Sequence, residues 1–454
     1  MNLSIIILAA GQGTRMCSDL PKVLHPLGGR PLLAHVIDTA YSLDASAIHV
    51  VIGHGAEHVR EAFPDADVNW VLQDRQLGTG HAVAQVMPSV PDGDTVLVMY
   101  GDVPLISRDT LEPLCAVASQ GFVGLLTAEL DNPTGYGRIL HHADGSISGI
   151  VEEKDATATE RNICEINTGF VAAPAAKLRV WVNELDNNNA QGEFYLTDVI
   201  SRAVTGGVSV RGSRSECIEE VLGINDRAQL AVQERALQRR QASACLRAGV
   251  TLIDPARFDL RGLLEAGQDV VIDVNCVLEG SIRLGHRINI GPNVVMRDVT
   301  VGDDVTILAN CVLEDADIGS GARIGPFARI RPETRLAENT HVGNFVEIKK
   351  SEVGEGSKIN HLSYIGDTSV GRNVNIGAGT ITCNYDGANK HRTVIGNDVF
   401  IGSDTQLVAP VEVKDGATIG AGSTITREAP AGELTLSRAP QETRSGWQRP
   451  VKKK

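Results

Sequence analysis

From residue 250 onward an aliphatic side chain returns every six positions, and few folds can use such a period. Val270, Cys276, Ile282 and Ile288 form one run, and Val301 with Ile307 a second. Ile318, Ile324, Ile330, Leu336, Val342 and Ile348 keep one phase over successive hexapeptides. Val353, Ile359 and Ile365 follow, then Ile395, Ile401, Leu407, Val413, Ile419 and Ile425. Six is a multiple of two, so the members of a run fall on one face of extended chain. The next residue is often Gly, as in IGSGARIGPFARI (residues 318–330), which suits a chain that turns corners at fixed intervals. Such repeats stack, each turn burying the aliphatic residues of its neighbour. The phase slips between runs are expected to be short insertions at corners. TCNYDGANKHRTV (residues 382–394) is polar and too long for a corner, and is either a decoration or half of a site.

The chain has 454 residues, more than one unit at roughly 150 residues per domain. Its 47 glycines against 8 Phe, 6 Tyr and 3 Trp fit a corner-turning repeat better than an aromatic-cored sandwich, and they keep no collagen period. A net charge of −14 argues against a general nucleic-acid binder, leaving room for a local basic pocket that takes one small anion. No apolar run approaches the roughly 18 residues of a membrane span, and no signal peptide is expected. The eight cysteines are scattered without a CxxC, so neither a disulfide framework nor a zinc knuckle is indicated and a cytoplasmic location is expected. The basic end RPVKKK reads as a solvated tail.

The first 225 or so residues have another texture. SIIILAAG (4–11), AIHVVIG (47–53), VNWVLQ (68–73) and TVLVMYGD (95–102) read as buried parallel strands, alternating with helical patterns such as PLLAHVIDTAYSL (31–43). That alternation predicts an α/β doubly wound, Rossmann-like domain. YGRIL and ISGIVEE, flanking residues 143–146, read as a hairpin. Asp226 with Gln229 marks a helix start, Leu230, Leu237 and Ala244 lie seven apart, and Gly249 is a stop. The expected division is an N-terminal domain over 1–227, a linker helix over 228–249 and the repeat domain with its tail over 250–454.

LAAGQGTRM (8–16) follows the first strand, with Pro21 and Lys22 close behind. A glycine-rich turn at the carboxyl end of a parallel strand lets backbone N–H groups approach an anion, and Arg15 and Lys22 supply the charge a triphosphate demands. The same residues also suit a plain strand-to-helix turn with two solvated cations. The motif is neither GxGxxG nor a Walker A loop.

The run Gly11, Gly13, Thr14, Arg15, Met16 and Pro21-Lys22 resembles the sugar-1-phosphate nucleotidyltransferases. By that resemblance Leu8, Ala9, Ala10, Gly11 and Lys22 hold UTP, and QLGTGHA (76–82) its base and ribose, through Gln73, Gly78 and Thr79. Tyr100, Gly101 and Asp102 in YGDVP, with Asn225 in GINDR, continue the set; Gly137, Glu152 and Asn167 match contacts to an N-acetylglucosamine phosphate. Asp102 and Asn225 are the implied ligands of Mg2+, which accepts one carboxylate, one amide oxygen and phosphates. Arg15 and Lys22 carry the electrostatic work of phosphoryl transfer. Gln12 is neutral where relatives often carry a base.

The hexapeptides resemble the family that folds as a left-handed parallel β-helix of three hexapeptides per coil, here roughly ten coils. Within them Arg331, Lys349, His361, Tyr364, Asn375, Asn384, Tyr385 and Lys390 depart from coil building. An imidazole suits the removal of a proton from an amine that attacks a thioester, and cations suit a phosphate. Both halves together resemble the bacterial bifunctional N-acetylglucosamine-1-phosphate uridyltransferase/glucosamine-1-phosphate acetyltransferases. The resemblance implies His361 as the acetyltransfer base. Arg331, Lys349, Tyr364, Asn375 and Lys390 would hold glucosamine 1-phosphate, and Ala378, Asn384, Tyr385, Ser403, Ala421 and Arg438 acetyl-CoA. It also implies a homotrimer with no nucleic-acid partner and no membrane span. The alternative is a nucleotidyltransferase whose β-helix only trimerises the chain.

Overall fold

The structure, a computed structural model, describes residues 2–452. The chain forms two compact units, 1–237 and 238–454.

In the first unit the apolar runs become a nine-stranded sheet whose main path is Val210–Arg214, Val123–Glu129, Glu165–Pro174, Thr95–Tyr100, Leu3–Leu8, Ala47–Ile52 and Asn69–Leu72. Ile5, Ile6 and Ile7 are fully buried, because helices cover both faces of the central strand. Asn69–Leu72 is the edge strand, so the expectation of a buried run fails there: Leu72 is 48 % exposed. The sheet is also not wholly parallel. Glu165–Pro174 runs antiparallel between Thr95–Tyr100 and Val123–Glu129, and the predicted hairpin forms from Arg138–His141 and Ile147–Val151.

Leu3–Leu8 pairs in parallel with Ala47–Ile52 on one side and Thr95–Tyr100 on the other. The connections leave it in opposite directions, and a crevice opens beyond the carboxyl ends at Leu8 and Tyr100. The helix Arg227–Arg247 begins nearby, with Asp226 Oδ1 accepting from the Gln229 amide at 2.8 Å. Gln229 Oε1 returns to the amide of Asn225 rather than that of Asp226, at 2.7 Å, so the cap also pins Asn225. The sevenfold pattern holds only in part: Leu230 and Leu237 pack on Leu27, Leu32 and Leu105 of the first unit, whereas Ala244 is exposed and Ala242 and Cys245 face the second unit's core.

The second unit is the left-handed parallel β-helix of hexapeptide repeats. Eleven short strands stack along one side in parallel register, Ile290 on Ile307, Ile307 on Ile324, Ile324 on Val342. A turn therefore takes 17 or 18 residues. Every member of the six-residue runs is at most 3 % exposed. From Val301 on the runs are the inward ladder itself, whereas Val270, Cys276, Ile282 and Ile288 lie two residues before its rungs Ile272, Leu278, Leu284 and Ile290. The phase slips are shortfalls rather than insertions: Leu313 to Ile318, Ile348 to Val353 and Ile365 to Val370 span five residues where six were expected, all six side chains being buried. One turn is long, Ile376 stacking on Ile401, 25 residues on, because it carries the polar loop. There the inward position falls to Thr382, whose Oγ1 accepts from the Gly366 amide at 2.8 Å. Truncating one rung, Ile348→Ala, should destabilise the β-helix by about 2–5 kcal/mol, since its neighbours above and below cannot close the gap. Urea unfolding followed by circular dichroism checks this.

Candidate functional site

The crevice of the first unit holds about 320 Å3 and is lined by Leu8, Ala9, Ala10, Gly11, Lys22, Gln73, Gly78, Thr79, Tyr100 and Asp102, all expected from the sequence. Gln76 and Ala82, the ends of the QLGTGHA segment, and Val23 and Glu193, to which no motif pointed, complete the lining. Gly13 has φ 63°, and a Cβ there would lie 2.6 Å from Lys22 Cβ, so the glycine lets Lys22 fold back beneath the loop. Lys22 Nζ is bonded to Asp102 Oδ2 and lies 3.2 Å from Asn225 Oδ1. Two oxygens 123 residues apart in sequence thus converge on one positive charge. Gly101 backs this point, its amide donating to Leu8 O at 2.9 Å.

Gly78 adopts φ 114° and is crowded by the Phe194 backbone, 2.5 Å from where a Cβ would stand. Phe194 N donates to Leu77 O and Gly80 N to Phe194 O, each at 2.8 Å, while Thr79 Oγ1 accepts from Leu196 N at 3.1 Å. The QLGTG segment is therefore fastened to residues 194–196. Beside the crevice, Asn167 N donates to Gly137 O at 2.9 Å, and Thr197 Oγ1 donates to Glu152 Oε1 at 3.0 Å. Burial pushes the Glu152 carboxyl above its ordinary range, and burial, followed by the charges of Glu152 and Asp102, raises the Tyr100 phenol. Arg15 stands apart: it sits exposed in the turn Thr14–Met16 and is not among the residues lining the crevice.

In the second unit, His361 Nδ1 lies 2.8 Å from Asn344 Oδ1, and the two residues pair in register on successive coils. An amide oxygen only accepts, so Nδ1 carries the proton and Nε2 is left with its lone pair toward solvent. Ile359, Ile376, Ile401 and Ile419 stack in register, which places His361, Ala378, Ser403 and Ala421 one above another, each two residues past its inward aliphatic. Arg438 Nη1 donates to Ala421 O at 2.7 Å, one turn further. A histidine thus stands at the foot of a ladder of small side chains.

Arg331, Lys349 and Gly366 occupy equivalent places after Ile330, Ile348 and Ile365. Arg331 donates to Glu347 Oε1 at 2.7 Å. The Lys390 ammonium, with Arg331 nearby, holds Lys349 below the ordinary lysine range, the signature of cations gathered without enough anions. Gly366 leaves room that a Cβ would deny: Tyr364 Oη and Asn384 Nδ2 would lie 2.5 and 2.8 Å from it. Asn384, 7 % exposed, donates to Asp367 Oδ2. The polar loop braces itself through Asp386, whose Oδ1 accepts from Ala388 N and Asn389 N and whose Oδ2 lies 2.6 Å from His391 Nε2. Tyr385 bridges to Lys390 across the loop, while Asn375 stacks between Lys358 and Phe400 one coil away.

The chain is 58% identical over 448 residues, 99% of its length and 96% of the relative's, to the bifunctional protein GlmU of Alkalilimnicola ehrlichii. It is 57% identical over 450 residues to the bifunctional protein GlmU of Marinobacter nauticus, covering 99% of both chains. The chain belongs to the bifunctional GlmU family. The model of the MobA-like NTP transferase domain matches residues 5–142, and that of the bacterial transferase hexapeptide (six repeats) matches residues 392–427. This GlmU family member is an enzyme with a nucleotidyltransferase half and a hexapeptide transferase half.

The GlmU-type sequence motifs draw together ten crevice residues, the Lys22–Asp102–Asn225 contact and the Arg331–Lys349–Lys390 cluster. Asn344 and Asp367, which orient His361 and Asn384, carry no sequence signal, since a coil residue acquires such a role only from the residue stacked on it. Among the described residues no helix is long and apolar enough to cross a membrane, and no group of three or more His, Cys, Asp or Glu side chains is arranged to hold a metal.

Proposed function

We propose that the β-helix unit acetylates glucosamine 1-phosphate with acetyl-CoA, and that the α/β unit transfers UMP from UTP to the N-acetylglucosamine 1-phosphate so formed, releasing pyrophosphate. The observation that carries this reading is the pair of constellations in one chain: an anion-ready crevice at a topological switch point, and a histidine with a free Nε2 at the foot of a small-residue ladder.

In the first reaction His361 Nε2 takes a proton from the sugar ammonium. The freed nitrogen attacks the thioester carbonyl, the C–S bond breaks, and the thiolate leaves as CoA. Arg331, Lys349 and Lys390 hold the sugar phosphate, with Tyr364 and Asn375 beside it. The ladder of Ala378, Ser403 and Ala421, with Asn384, Tyr385 and Arg438, carries the acetyl-CoA. In the second reaction a phosphate oxygen of the sugar attacks the α-phosphorus of UTP and the bond to the β-phosphate breaks. No base is needed, because the nucleophile is already an anion. Leu8 to Gly11 and Lys22 cradle phosphates, Gln73, Gly78 and Thr79 the nucleoside, and Gly137, Glu152 and Asn167 the sugar; Arg15, exposed on the turn Thr14–Met16, reaches the triphosphate from outside the crevice lining.

Asp102 and Asn225 already share one cation, the Lys22 ammonium, and their hard oxygen pair fits Mg2+. Such an ion supplies neutralisation of phosphate charge, while Lys22 is left free to meet a phosphate oxygen.

The active form is read as a cytoplasmic homotrimer serving peptidoglycan and lipopolysaccharide precursor supply. Phe327 and Phe345, stacked at 5.1 Å yet 48 and 56 % exposed, and Leu362 beside His361 support association of copies through the β-helix.

The test is a single preparation assayed for thiol and pyrophosphate. Glucosamine 1-phosphate, acetyl-CoA and UTP together should release both. N-acetylglucosamine 1-phosphate with UTP should release pyrophosphate alone. Thiol release that is absent or independent of the sugar would leave the β-helix as a trimerising scaffold.

A further inference from the structure

The geometry points to His81 as the residue that sets which nucleobase the crevice accepts, by fixing the amide of Gln73. The inference rests on the reading of Gln73 as a base contact. Gln73 lines the crevice, is 3 % exposed, and has one terminal atom 3.1 Å from Gly78 O and 2.9 Å from His81 Nδ1. A backbone carbonyl only accepts, so that atom is the amide nitrogen. Its two protons are then both used, one on Gly78 O and one on His81 Nδ1. His81 Nδ1 therefore accepts, and the ring carries its proton on Nε2. The Gln85 amide nitrogen lies 3.2 Å from that Nε2; an amide nitrogen cannot accept the proton, so the Nε2–H requires the Gln85 amide turned over to present its oxygen.

The ring is held in place from the other side as well. It packs on Phe194, with ring centroids 6.5 Å apart, and the Phe194 backbone is bonded to Leu77 and Gly80. Gln73 Oε1 has no hydrogen-bond partner among the described residues. The crevice wall thus presents a carbonyl acceptor whose orientation cannot reverse while His81 stays.

A fixed acceptor discriminates between pyrimidines. Uracil carries a proton at N3 and cytosine a lone pair there. An oxygen set against that position is matched by the first and repelled by the second. Removal of His81 leaves one hydrogen bond, to Gly78, holding the amide. Gln73 can then turn its nitrogen toward the base, and cytosine becomes acceptable.

The experiment compares kcat/KM for UTP and CTP, with N-acetylglucosamine 1-phosphate as acceptor, in wild type, H81A and H81N. Asn keeps an acceptor where Nδ1 stood. The UTP-to-CTP ratio is expected to fall roughly ten- to a hundredfold in H81A, the range for one mispaired buried polar group, and to stay near wild type in H81N. Unchanged thermal unfolding midpoints confirm folding. A ratio unchanged in H81A, an equal loss with both nucleotides, or H81N behaving as H81A would overturn the role of His81. A wild type that uses UTP and CTP alike would overturn the reading of Gln73, and this inference with it.

Discussion

Asp102→Ala is expected to lower uridylyl transfer by roughly a thousandfold or more and to leave acetyl transfer at its wild-type rate. Phosphoryl transfer draws its acceleration from positioning and charge neutralisation, and loss of one such preorganised group costs two to three orders of magnitude or more. Asp102 serves twice: its Oδ2 holds the Lys22 ammonium, and with Asn225 Oδ1 it forms the oxygen pair suited to a divalent cation. The side chain is only 17 % exposed, so water replaces it poorly. Pyrophosphate release measured against added Mg2+ separates the two duties. A variant that recovers its rate at high Mg2+ has lost ion affinity alone. A variant that retains full activity would mean that the crevice is not the site of nucleotidyl transfer.

His361→Ala should remove acetyl transfer by about a hundred- to ten-thousandfold, the usual contribution of a general base, with pyrophosphate release from N-acetylglucosamine 1-phosphate and UTP intact. Asn344→Ala should give a smaller loss, because it frees the ring to take the wrong tautomer without deleting the base. Thiol release at saturating acetyl-CoA measures both. Equal losses in the two variants would place His361 in a structural role, and undiminished release in H361A would send the search for the base elsewhere on the coil.

How much was legible in advance differs between the two halves. The β-helix was readable almost residue by residue, because its core repeats a local rule: the residue that recurs every six positions is the residue that points inward. Two details differ: the sense of the slips, and the first run, which sits two residues before the ladder. A five-residue side looks in one dimension like an insertion elsewhere, and which it is depends on the residue stacked above. The first unit yielded its strands and its glycine loop, since buried strands are continuous apolar runs and a phosphate-binding turn needs glycine. It did not yield the antiparallel strand Glu165–Pro174, whose apolar pattern is compatible with either direction, nor Glu193 in the crevice wall.

The sequence by itself determined the two architectures, the place where each changes texture, and the chemical types gathered at each candidate site. These follow from periodicity and from what Gly, Lys, Asp and His can do locally. Only the tertiary structure decided the partnerships: Lys22 with Asp102 and Asn225, His361 with Asn344, and Gln73 with His81. A hydrogen bond requires donor and acceptor within about 3 Å, and residues far apart in sequence meet at that range only when the packing of the whole unit places them there.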